Sequence, residues 1–251
     1  MVVAVLSRKE LEGVIAVRDK LTFLAEKENI ELTAFYANIN PSKGNTVLGD
    51  KYFRLDEGGT GYIEETVLGL TFRISPSAFF QVNTHMASKL FAEVIDLSEA
   101  NGTGHIIDLY CGTGSISLLL ADKCTKVTGI EIVEQAVEDA KRNASINGIS
   151  NAGFYCGKSE VLLPELVAGG ISADLIILDP PRKGAERVVL DAILKASPEK
   201  LIYISCDPST LARDCKILCS GGDYMIRTIR PVDLFPWTGH VETVVLITRN
   251  I

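Results

Sequence analysis

The sequence predicts an α/β fold, a mostly parallel sheet of seven strands with a small N-terminal α/β subdomain ahead of it. Three observations lead there. From about residue 104 onward, short apolar runs alternate with helical periods, the pattern of successive βαβ units. The first ~75 residues break that rhythm. The 251 residues, 47% hydrophobic and 23% charged, suffice for a domain of about 150 residues with its own core plus a smaller unit.

Taken in order, residues 1–75 read as the small subdomain: a strand over 2–6, a helix over 9–27, and β-rich stretches at 31–39 and 63–74 around a turn-rich segment, 40–49. Residues 76–97 carry Phe80, Met86, Leu90, Val94 and Leu97 at helical spacing, so a helical linker over 76–100 is expected to open the larger domain, 76–251. Within that domain, strands are predicted at 105–110, 126–131, 154–156, 174–179 and 201–205. Helices are predicted at 115–122, at 134–147 with Gly148 as the stop, and at 209–219. The β-rich runs 224–229 and 241–248 suggest a closing hairpin.

Composition excludes several classes. The longest apolar runs, 116–121 and 175–178, fall far short of the ~20 residues of a membrane span, and the apolar start lacks a basic leader. The six cysteines contain no CxxC pair, which argues against zinc and against a disulfide framework. Free thiols in such a chain point to a reducing compartment, with the cytoplasm as the default expectation. His85, His105 and His240 show no ligand spacing, so no catalytic metal is expected. The net charge of −7 is a poor global field for nucleic acid, leaving any RNA contact to a local basic surface.

The chemistry gathers at predicted strand ends. Residues 108–114 (DLYCGTG) close the first strand of the large domain, where open α/β sheets bind nucleotides. Gly112 and Gly114 allow a tight turn and close approach to a ligand, while Ser117 stands where a dinucleotide fingerprint has its third glycine. Glu131 ends the next strand, placed to accept both ribose hydroxyls of an adenosine. These could equally be turn residues and a solvated strand end. Asp179-Pro180-Pro181-Arg182 ends another strand at the same edge, the prolines forming a rigid wall suited to a flat base. Cys206 lies just past the next strand end, before the helix 209–219. There the helix dipole and Arg182 or Arg213 are expected to stabilise its thiolate. Glu242 begins the apolar final strand, usually a solvated position.

Together these residues resemble the RNA (uracil-5)-methyltransferases that act on tRNA and ribosomal RNA. The likeness runs through Ser75-Pro76-Ser77-Ala78-Phe79-Phe80-Gln81-Val82-Asn83, residues 108–114, Gly129-Ile130-Glu131, residues 179–184 and 205–214, and Asp233-Leu234-Phe235-Pro236 on to His240-Val241-Glu242. Asn38-Ile39-Asn40 and Val47-Leu48-Gly49 fit the same pattern. The resemblance implies a Rossmann-like methyltransferase domain with S-adenosyl-L-methionine as cofactor and RNA as partner. Gln81, Tyr110, Gly112, Gly114, Glu131 and Asp179 would line the cofactor, and Gln81, Asp179 and Phe79 would meet the uracil. It makes Cys206 the nucleophile and Glu242 the base. Members commonly carry an N-terminal RNA-binding β-barrel, and some an iron–sulfur cluster on N-terminal cysteines. Neither has a counterpart here, so a trimmed or unusually short member, acting as a monomer, is the expectation. Two other readings stay open: methylation of an exocyclic amine with Cys206 structural, and a noncatalytic RNA-binding factor.

Overall fold

The computed structural model describes residues 1–42, 47–56 and 58–250. Residues 43–46 of the turn-rich segment lie outside the described residues. The chain divides into two compact units, 1–65 with 73–78, and 66–72 with 79–251.

The smaller unit opens with β1 (Val2–Leu6), α1 (Glu12–Lys27), β2 (Phe35–Ile39) and β3 (Lys51–Arg54). Strands β1 and β2 pair in parallel, which requires a crossover, and α1 supplies it by setting Val14 into a cluster with Phe35 and Ala37. Strand β3 adds antiparallel to β2. It has no counterpart in the sequence reading, because four residues with a charge at each end give too short a pattern. Buried Asn38 exchanges two 2.7 Å hydrogen bonds with the backbone of Gly49, so its burial leaves neither amide atom unpaired. A hairpin of β4 (Ile63–Val67) and β5 (Leu70–Ile74) follows, and the boundary between the units falls inside it.

The larger unit continues through α2 (Thr84–Ser98), β6 (His105–Leu109), α3 (Ser115–Leu119), β7 (Lys126–Glu131), α4 (Glu134–Ile146), β8 (Ala152–Cys156) and α5 (Ser159–Ala168). It ends with β9 (Leu175–Leu178), α6 (Arg187–Ala196), β10 (Lys200–Ser205), α7 (Pro208–Cys219), β11 (Tyr224–Val232) and β12 (Glu242–Arg249). Its seven strands lie in the order β11-β12-β10-β9-β6-β7-β8. From β8 to β10 they are parallel; β12 enters antiparallel beside β10, and β11 antiparallel beside β12.

Alternation along each strand divides the core in two. Ile106, Val127, Leu175, Ile177, Ile202, Ile204, Val244 and Leu246 face a cluster built with α2, α3 and α4. Ile107, Leu109, Ile130, Ile176, Leu178, Leu201, Tyr203, Val245 and Ile247 face α5, α6 and α7. Both faces of the central strands are covered, which is why they read as continuous apolar runs.

Local differences from expectation have local causes. The predicted helix over 115–122 ends at Leu119 and passes into a 3₁₀ turn, Ala121–Lys123. Within 76–100 only Thr84–Ser98 is helical, since Asn83 caps that helix by accepting from the Met86 amide at 3.2 Å. Helix α5 escaped delineation because Pro164 sits inside it. Strand β11 runs on through Pro231, tolerated because β11 is an edge strand. Among the described residues no helix is long and apolar enough to cross a membrane.

Candidate active site

The order of strands decides where a site can form. After β6 the chain winds outward through β7 and β8, then returns to the other side of β6 with β9. The winding reverses between β6 and β9, leaving a crevice at their carboxyl ends. Leu109 pairs with Leu178 there, so Tyr110 and Asp179 emerge side by side. Cys206 follows the carboxyl end of β10. Because β12 is antiparallel to β10, with Thr243 opposite Ser205, the first residue of β12, Glu242, reaches the same edge.

One cavity of about 680 Å³ is lined by Gln81, Tyr110, Gly112, Glu131, Asp179, Cys206 and Glu242, together with Phe79, Phe235 and Arg182. Gly114 does not line it. Its φ is +79°, and a Cβ there would lie 3.0 Å from Phe154 Cζ and 3.1 Å from Ala140 Cβ, so this glycine packs the loop against β8 and α4. His240 is exposed and does not line the cavity either.

Glu131 is held by the backbone: Oε2 accepts from the Gly112 amide at 3.1 Å and Oε1 from the Val133 amide at 2.8 Å. Each oxygen keeps a further lone pair for a hydroxyl at the cavity wall. Tyr110 takes a left-handed backbone, φ 64°, which turns its ring to the other sheet face, where its hydroxyl donates to Glu160 Oε1 at 3.2 Å. Burial first, then Glu160, pushes that phenol well up.

A group of carboxylates lies on the α2-α3-α4 side. Asp108 is buried; its Oδ2 accepts from Ser117 Oγ at 2.6 Å, while Oδ1 has no partner among the described residues. With Gln81, Tyr110, Gly112 and Asp179 it lines a smaller cavity of about 60 Å³. Burial pushes Asp108 up to about 7, with Glu131 adding. Burial, then Glu242, then Asp108 push Asp179 up to about 8. Glu242 is also raised by burial, against the opposing charge of Arg182. Such coupling of like charges in low dielectric keeps protons on some members near neutral pH.

The expected thiolate stabilisation at Cys206 needs correction on two points. The thiol is pushed up, by burial first and then by Glu242, with Arg182 opposing and Asp179 adding. Asp207 caps the N-terminal end of α7, accepting from the Ser209 and Thr210 amides at 2.9 and 3.0 Å. Arg213 is engaged elsewhere: Nε donates to Asp214 Oδ1 at 2.7 Å and Nη2 to the Lys183 carbonyl at 3.0 Å. It therefore works on the loop that carries Arg182. Asp214 also accepts from the Ala185 amide at 2.9 Å and the Tyr203 hydroxyl at 2.6 Å. The loop passes so close that a Cβ at Gly184 would meet Arg213 Nη2 and Asp214 Oδ2 at 2.5 Å.

Sequence reasoning missed Asp108 with Ser117, and Lys158 and Glu160 beyond β8. For Asp108 the signal was available: a carboxylate inside an apolar strand requires a partner. Among the described residues no group of three or more His, Cys, Asp and Glu could hold a metal ion.

A family model described as tRNA (Uracil-5-)-methyltransferase matches residues 60–250. The chain is 43% identical over 239 residues to an uncharacterized RNA methyltransferase of Listeria innocua, covering 93% of this chain and 52% of that protein. It is 45% identical over 223 residues to one of Listeria monocytogenes, with 89% and 49% covered. Among solved structures it is similar to the Pyrococcus abyssi tRNA (uracil-54, C5)-methyltransferase in complex with S-adenosyl-L-homocysteine. That match has a TM-score of 0.71 at 30% identity, over 88% of this chain and 52% of that one. The chain spans about half the length of these relatives.

Proposed function

The chain belongs to the tRNA (uracil-5-)-methyltransferase family, and from that premise we propose that it transfers a methyl group from S-adenosylmethionine to carbon 5 of a uridine in tRNA or ribosomal RNA, through a covalent bond between Cys206 and the uracil ring. The observation that carries this reading is the convergence of Cys206, Glu242, Asp179, Gln81 and Glu131 on one cavity. The relative of known structure was solved with S-adenosyl-L-homocysteine, and the residues here fit such a molecule. Glu131 is oriented by two amides with lone pairs to spare for a ribose. Asp108 Oδ1, without a partner among the described residues, offers a buried acceptor to a cationic or hydroxyl donor. When bound, S-adenosylmethionine supplies an electrophilic methyl on its sulfonium.

The chain's own residues supply the rest. Carbon 5 of uracil is a weak nucleophile. Addition of the Cys206 thiolate to carbon 6 moves the double-bond electrons toward O4, and the resulting enolate makes carbon 5 reactive. Asp179, protonated at neutral pH because its value is pushed to about 8, can donate a hydrogen bond to O4 as charge grows there. Gln81 reads the rest of the imide edge. After methyl transfer Glu242 takes the carbon 5 proton, the electron pair re-forms the C5–C6 double bond, and the Cys206 sulfur leaves. The products are 5-methyluridine, S-adenosylhomocysteine, the Cys206 thiolate and a protonated Glu242. A uridine in folded RNA reaches such a cavity only by leaving its stack, and Phe79 and Phe235 on the wall can receive it.

Burial and Glu242 raise the Cys206 thiol against the charge of Arg182, so its proton passes to solvent before the thiolate adds, and Arg182 favours that loss. The test is to map 5-methyluridine in RNA incubated with the protein and S-adenosylmethionine, beside Cys206→Ala. New 5-methyluridine with the parent and none with the variant is expected. RNA methylation that yields no 5-methyluridine and persists in Cys206→Ala would favour exocyclic-amine methylation instead.

A further inference from the structure

Trp237 is the single tryptophan of the chain. It is fully exposed, and its backbone is left-handed at φ 73°. Each choice is unfavourable for this residue: the left-handed region crowds a bulky side chain, and exposure forgoes burial of a large aromatic surface. The surrounding turn enforces both. The Thr238 amide donates to the Phe235 carbonyl at 3.1 Å and the Thr238 hydroxyl to the same oxygen at 2.7 Å. Pro236 then occupies the second turn position and Trp237 the third, the pattern of a type II turn, whose third position favours glycine or asparagine.

The turn begins in the cavity wall: Phe235, its first residue, and Glu242, a few residues past its end, both line the cavity, and the Asn83 side chain holds the Leu234 carbonyl at 2.8 Å. Exposed Phe79 and Val82 share that lining with Lys158, Arg182 and Lys183. Aromatic surface beside clustered cations is the combination that tracks a single-stranded nucleic acid. One indole covers far less than the ~1,200 Å² that a stable protein interface buries, whereas a uridine drawn out of its stack leaves each adjoining base with one π-face uncovered.

We propose that Trp237 is a stacking platform for a nucleobase flanking the target uridine, set outside the cavity that takes the uridine itself. This rests on the RNA reading above. The turn fixes the backbone that carries it, and it recognises a flanking base by stacking, with little discrimination among bases.

The sole tryptophan makes the test direct. A fluorescently labelled uridine-containing RNA stem-loop is titrated with protein, following anisotropy of the label and, with unlabelled RNA, indole emission. Indole emission is expected to fall in step with the anisotropy curve. Trp237→Gly should weaken RNA affinity by roughly 5- to 150-fold, leave S-adenosylhomocysteine affinity unchanged and melt at the same or a higher temperature, because glycine relieves the left-handed strain. Trp237→Phe should retain an intermediate RNA affinity. Binding seen by anisotropy with unchanged indole emission and with unchanged affinity in Trp237→Gly would overturn the platform and leave the RNA reading standing. A drop in melting temperature that accompanies the loss of RNA binding would make the residue structural and overturn it too. Absence of any RNA binding by anisotropy would instead overturn the RNA reading, and the platform with it.

Discussion

Replacing Glu131 by glutamine removes one atom's worth of charge and changes little in shape, yet the structure predicts a large effect. Both carboxylate oxygens accept from backbone amides, Gly112 at 3.1 Å and Val133 at 2.8 Å. A glutamine has one oxygen, so its NH₂ must face one of those N–H donors. The orphaned amide costs about 1–3 kcal/mol, which for a chain of this size lowers the melting temperature by roughly 2–12 °C. A charged hydrogen bond to the ribose is lost as well, about 1.5–3 kcal/mol. Affinity for S-adenosylhomocysteine should therefore fall by roughly 10- to 150-fold. Isothermal calorimetry on the folded variant, beside a thermal melt, reads both quantities. Affinity within twofold of the parent would refute the role of Glu131 in cofactor binding, and an unchanged melt would refute the two-amide account.

Two further outcomes follow from the carboxylate cluster. Asp108 rises from 3.8 to about 7 on folding, so between these values the folded state binds its proton more tightly than the unfolded one. Its contribution to stability is present below pH 4 or so and is lost as pH rises through about 7; thermal melts from pH 5 to 8 should show a decline that Asp108→Asn makes shallower, the remainder coming from Asp179. Arg182 opposes the upward push on the Cys206 thiol, so Arg182→Gln should move the alkaline limb of Cys206 alkylation, read by mass spectrometry of its peptide, to higher pH. A limb that stays put would separate Arg182 from the nucleophile.

Much of the site could be read from strand parity. Asp108 continues the alternation of Ile106; Asp179 that of Leu175 and Ile177; Cys206 that of Ile202 and Ile204; Glu242 precedes Val244 and Leu246; Glu131 follows Val127. All of these apolar residues belong to one face of the sheet, so the chemistry lies just beyond a single hydrophobic stripe. What parity could not supply was tertiary. The left-handed backbone of Tyr110 sends its ring to the opposite face. The antiparallel entry of β12 brings the start of a strand to an edge where all its parallel neighbours end. Arg213 has the charge to serve Cys206, but only the fold reveals that the buried Asp214 claims it.

The central claim, a covalent route through Cys206 that Glu242 completes, is tested most directly with Glu242→Gln. The protein is mixed with S-adenosylmethionine and end-labelled RNA and run on a denaturing gel, beside Cys206→Ala. In Glu242→Gln the thiolate can add and the methyl can transfer, but the carbon 5 proton has no base to take it. A band of protein-linked RNA should accumulate, its mass equal to protein plus methylated RNA, and Cys206→Ala should form none. Normal turnover by Glu242→Gln with no linked band would contradict the assignment of Glu242 as the base, and a linked band surviving in Cys206→Ala would contradict Cys206 as the nucleophile.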